Sequence, residues 1–153
     1  MRVADVKDAH CSIYTFGCKR QSPPNCHYTF DVTSFRDPAG QGNMRHLDGR
    51  ATIVRNFVAQ ETKLKDLLDL VEITLRDAIP ATGGKAWTTI GIMDHHGVWI
   101  APAVGELLAE HLDVYAPDIP YVLTHLDADH HKLISTTLPA KVTHGGGHSP
   151  YLP

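Results

Sequence analysis

Asp94-His95-His96-Gly97 stands between the apolar run Ile90-Gly91-Ile92-Met93 and a Val-Trp-Ile-Ala-Pro lead into a second apolar segment. A carboxylate and two imidazoles in one short turn fit three kinds of chemistry. A turn that ends a strand and begins a helix exposes backbone N–H groups and the positive end of the helix dipole, which suits a phosphate. A protonated His95 or His96 would add to that attraction. The second reading is metal ligation: Asp94, His95 and His96, with His125, Asp127 and Asp129 further along, form an oxygen- and nitrogen-rich set suited to Zn²⁺, Mn²⁺ or iron. A divalent metal is therefore the one cofactor these residues admit. The third reading is a solvated polar turn.

Other groups fall into place around this turn. Gly17-Cys18-Lys19-Arg20 closes an earlier apolar run and supplies two cations, and Asp31, Asp37 and Arg50 follow at the ends of later segments. If the strands are parallel, all of these lie on one carboxyl edge, where open α/β sheets bind ligands. Arg50 is the best fork for a phosphate, because a planar guanidinium binds two oxygens at once. Cys18 beside Lys19 has the setting of an activated thiol but no assigned base.

The elements that must hold these residues are legible from periodicity. Residues 11–16 (CSIYTF) and 27–32 (HYTFDV) read as strands, separated by a loop containing Pro23-Pro24. Residues 33–50 read as a long polar loop. Apolar residues at 64, 67, 68, 71, 75 and 79 step by three or four, the signature of an amphipathic helix over 61–79 that Gly83-Gly84 ends. A strand over 86–93 and a helix from Ala101 to Leu112 follow, with Pro102 in the helix's first turn, where no backbone donor is required. A last strand covers 121–126, and 127–153, with its Gly145-Gly146-Gly147 run, reads as an irregular tail. The order β-β-α-β-α-β predicts an α/β fold, a small, largely parallel sheet with helices packed on it, and one domain over 1–153.

Composition narrows the function. The chain has 153 residues, 42% hydrophobic and 20% charged, with a net charge of −3. That gives no global basic field for nucleic acid. The eleven histidines would reverse the charge balance in mild acid. Three clustered cysteines (Cys11, Cys18, Cys26) do not form a disulfide framework and point to a reducing compartment. No apolar run is long enough for a membrane span, and MRVADVKDAH lacks the apolar core of a signal peptide, so the expected location is cytoplasmic with no membrane partner.

Several motifs in one order resemble the C-terminal domain of the RNase adapter protein RapZ. The family's S-F-G-F-K corresponds to Thr15-Phe16-Gly17-Cys18-Lys19, its F-D-V-R-F-x-P-N-P to residues 30–38, and its T-G-x-D turn to Leu47-Asp48-Gly49-Arg50. The family's I-G-C-T-G-G-x-H-R-S corresponds to Ile90-Gly91 followed by Ile-Met-Asp-His-His-Gly, a longer turn without the double glycine or the Arg-Ser pair. The similarity runs over 12–126. It implies a non-catalytic domain binding a phosphorylated small molecule, a sugar phosphate or nucleotide, and it adds Gly49 and Gly91 to a site of Gly17, Lys19, Asp31, Asp37, Arg50, His95, His96 and Gly97. The family also binds a small RNA, which makes an RNA-binding adapter a further reading, although the basic end that serves this purpose is missing here. Asp94-His95-His96 and the segment THLDADHH are similar to the two signatures of DHH-type phosphoesterases in reversed order, so a metal-dependent phosphoester hydrolase is also carried. A homo-oligomer is left open.

Overall fold

Cys11–Gly17 forms the inner strand β1, buried along nearly its whole length, as expected of a parallel strand with neighbours on both sides. The computed structural model describes residues 11–20, 24–81 and 88–130. The other strands are β2 (Tyr28–Asp31), β3 (Thr88–Asp94) and β4 (Tyr121–His125), and the helices are α1 (Thr52–Ala59), α2 (Leu64–Ala81) and α3 (Ile100–Tyr115). Short 3-10 turns occupy Pro38–Gly40 and Ala128–His130.

The sheet has the order β2-β3-β1-β4, and every pairing in it is parallel. Its register sets Gly17 beside Asp94 and Thr15 beside His125. All strands therefore end on one edge, and the polar residues that follow them gather there. β2 is an exposed edge strand, extended by His27, whose backbone N–H donates to the Thr89 carbonyl while its Nδ1 accepts the Thr89 N–H.

Helix α3 sits at the centre of the core. Nine of its residues, from Ile100 to Leu112, are buried, because it lies between the sheet and the other two helices. Gly105 is what lets it approach: a Cβ there would come within 2.7 Å of the Thr15 methyl and 3.2 Å of Leu123. Leu64, Leu68, Val71 and Leu75 face inward from α2, as their spacing predicts. α1 was not expected. It buries Val54 and Val58 against the same core and has no side-chain cap at Ala51. Packing on α3 rather than intrinsic propensity holds it.

The boundaries differ from expectation in small ways. The long helix starts at Leu64, because Glu61 to Lys63 form a preceding turn whose Glu61 carboxylate accepts the Arg36 N–H at 2.6 Å. The start of the expected irregular tail is ordered as the Ala128–His130 turn and is buried. Among the described residues, no helix is long and apolar enough to cross a membrane. Gly83-Gly84, Pro23 and the tail from 131 onward lie outside the described residues.

Candidate functional site

The site begins with how β3 ends. The Asp94 carboxylate turns back over its own loop, accepting the Gly97 N–H and, at 2.9 Å, the Ala101 N–H in the first turn of α3. It is only 3% exposed, and burial pushes its carboxyl up while the two N–H donors pull it down. The sequence led us to expect open N–H groups here for an external phosphate. Those of Gly97 and Ala101 are instead taken by an anion belonging to the chain, which also answers the helix dipole.

The turn after β1 lies directly on the turn after β3. Cys18 N–H donates to the Asp94 carbonyl and Lys19 N–H to the His95 carbonyl, both at 2.9 Å. Glycine is required on both sides of this contact. A Cβ on Gly17 would overlap the His96 carbonyl, and Gly97 has φ +73° with its Cα facing the Gly17 nitrogen. The buried Asp127 carboxylate ties in the segment after β4 by accepting the Gly17 N–H at 2.9 Å. Three strand ends are thus knitted through one glycine.

This arrangement brings Lys19 and Arg20 up to the imidazoles. His96 has its pKa lowered, first by burial and then by the cations Arg20 and Lys19, against the opposing pull of Asp37. Asp31 is held low mainly by its bond to the Thr33 N–H, and it feels His95. Arg20 Nε and His96 Nδ1 are both buried without a hydrogen-bond partner among the described residues. Two buried polar nitrogens in one cluster are the features a bound polar ligand would satisfy. Arg20 was noted in the sequence only as Lys19's neighbour; the signal for it was its place three residues past the strand's end.

Arg50 has a different setting. Its Nε and Nη2 each bond Asp48 at 2.9 Å, and Nη2 also reaches Asp129 at 2.5 Å. These two carboxylates push its pKa up. Its fork is therefore engaged within the protein, and Gly49 beside it packs against the start of α3, with its N–H on the Val98 carbonyl at 2.8 Å. Asp37 caps the Pro38–Gly40 turn through the Ala39 N–H. Gly91 lies in the middle of β3 under Phe16, Cys26 and Thr29, away from the edge.

The metal candidates are dispersed over separate duties. Asp94 holds its turn, Asp127 holds Gly17, and Asp129 meets Arg50. The His125 ring lies between Thr15 Oγ1 at 2.7 Å and Glu106 Oε2 at 2.9 Å. That hydroxyl–imidazole–carboxylate chain has the order of a hydrolase triad, but Thr15 is 0% exposed inside the central strand and no substrate reaches it. Among the described residues, the one group of three donors whose ligating atoms converge within 4.8 Å is Asp69, Glu72 and His111, between α2 and α3. Sequence reading did not nominate it.

Comparison with known proteins agrees with this architecture. The family model for the RapZ C-terminal domain matches residues 9–129. A protein of Dinoroseobacter shibae named as a nucleotide-binding protein is 29% identical over 82 residues, covering 52% of this chain and 27% of the relative. A nucleotide-binding protein of Cereibacter sphaeroides is 29% identical over 105 residues, covering 65% of this chain and 35% of the relative. The chain thus spans about a third or less of these relatives' length.

Proposed function

The chain belongs to the RapZ C-terminal domain family, and from that premise we propose that it binds a phosphorylated small molecule, a nucleotide or sugar phosphate, at the carboxyl edge of its sheet. The relatives' names as nucleotide-binding proteins support the ligand class. The observation that carries the reading to particular residues is the pair of bonds from Cys18 and Lys19 to the Asp94 and His95 carbonyls. They hold the Lys19–Arg20 turn on the His95–His96 turn, where His96 feels both cations, and Arg20 Nε and His96 Nδ1 are buried without a hydrogen-bond partner among the described residues.

In this reading the phosphate is met by side-chain cations rather than by the helix start, because Asp94 already occupies the Ala101 N–H. Lys19 and Arg20 supply charge, and His95 and His96 supply hydrogen bonds, that of His96 depending on pH. No covalent step is required of any residue.

Calorimetry with a nucleoside diphosphate, a hexose phosphate and their unphosphorylated counterparts tests the reading. The phosphorylated forms should bind more tightly, and a Lys19→Ala/Arg20→Ala variant should lose that preference. Equal affinity with and without the phosphate would defeat it.

A further inference from the structure

We propose that Asp69, Glu72 and His111 form a divalent-cation site of the zinc class at the seam between α2 and α3, separate from the carboxyl-edge site. The ion is held by one oxygen of each carboxylate and by the imidazole Nε2, with solvent completing the shell. Asp69 and Glu72 are three residues apart on α2, so they share one face of that helix. His111 comes from α3, ten residues past Ala101 and therefore roughly 15 Å along the helix axis from the Asp94 turn.

The donors are oriented before any ion arrives. Lys65 Nζ holds Asp69 Oδ2 at 2.8 Å, and Arg76 Nε holds Glu72 Oε2 at 3.0 Å. Each carboxylate is thereby turned so that its other oxygen faces the ring: Glu72 Oε1 lies 2.8 Å and Asp69 Oδ1 3.8 Å from His111 Nε2. Ligands at about 2.1 Å from a tetrahedral ion lie about 3.4 Å apart, a value those two distances bracket. Small side-chain adjustments within the 4.8 Å that already contains all three ligating atoms would admit the ion in place of the proton Nε2 shares with Glu72.

The ring itself is fixed. His111 is 11% exposed and packs against Tyr115, with centroids 4.8 Å apart. Outer-shell partners of this kind set ligand orientation in metal sites. Lys65 and Arg76 do not cancel the local charge, because Asp66 lies beside Lys65 and Asp118 also binds Arg76, at 3.1 Å. One nitrogen and two oxygens favour Zn²⁺ over Mg²⁺, which prefers an octahedral oxygen shell.

The test uses the full chain titrated with ZnCl₂ and with MgCl₂, and zinc anomalous scattering from soaked crystals. An anomalous peak among the three side chains and preference for zinc are the expected results. Glu72→Gln and His111→Ala should each weaken the first zinc equivalent by more than about tenfold. Glu72→Gln keeps the side chain's shape, so the test survives a misfolded His111→Ala. Zinc found only at other histidines, or an affinity unchanged in Glu72→Gln, would overturn the site and leave a plain ion-paired histidine.

Discussion

The Asp94 carboxylate accepts the Ala101 N–H at 2.9 Å across seven residues of chain, so the start of α3 faces an anion built into the fold. Its removal should have two separable effects. Asp94→Ala leaves the Gly97 and Ala101 donors buried without acceptors, a loss of about 1–3 kcal/mol in urea denaturation. Asp94→Asn keeps one acceptor oxygen and should lose less. The same vacancy at a helix start attracts free anions, so added phosphate should raise the Tm of Asp94→Ala more than that of the wild type. Equal phosphate response in the two proteins would show that Asp94 does not stand in for a ligand anion.

Gly17 and Gly97 form the backbone contact on which the edge depends. A methyl group on either would overlap the other turn, and Gly97 also has φ +73°, which side chains disfavour. Gly17→Ala and Gly97→Ala should each cost about 2–3 kcal/mol in chemical denaturation. Gly40→Ala provides the control, since nothing lies within 4 Å of a Cβ there. It should remain close to wild type in the same assay.

Arg50 should register in stability before it registers in binding. Its guanidinium is 40% exposed and bound to Asp48 and Asp129, and partial exposure limits such bonds through solvent screening. Arg50→Ala should lower unfolding stability by about 1–2 kcal/mol while leaving the preference for phosphorylated ligands in place. Arg50→Lys should not restore the loss, because a single ammonium cannot reproduce the fork. Loss of phosphate preference at unchanged stability would instead place Arg50 in the ligand's path.

The inner strands β1 and β3 and helix α2 were legible because burial dictated their residue types. Leu64, Leu68, Val71 and Leu75 could step inward only as a helix, and the central β1 is buried on both faces. α1 was hidden because Thr52-Ile53-Val54-Arg55-Asn56-Phe57 is rich in poor helix formers and starts from an uncapped Ala51; only Val54 and Val58, one turn apart, signalled it. The composition of the edge was readable, since strand ends collect polar residues, but its wiring was not. Asp127 on Gly17 and His125 on Thr15 depend on strand order and register, and Asp94 on Ala101 depends on the conformation of its own turn. Asp69 and Glu72 show their shared face in the sequence, yet His111 joins them only once α2 packs on α3.

The last prediction concerns His96 and follows from the sign of its shift. Burial first, then Arg20 and Lys19, lower its pKa, against Asp37, with His95 as a further cation when protonated. An anion bound among these groups offsets the cationic field and raises the pKa, so binding takes up a proton between the free and bound values. Affinity is then greatest below the free value and declines as pH rises through the bound one, with about a tenfold change for each unit of increase. Sulfate is the clean probe, because phosphate itself titrates in this range. Without ligand, a depressed histidine contributes stability that is present above the unfolded pKa, about 6.5, and lost as pH falls through the folded value. Sulfate should therefore protect the protein in mild acid more than at about pH 8, and Lys19→Ala should raise the His96 pKa in an NMR titration. Sulfate affinity that stays constant across that range would remove His96 from the anion site.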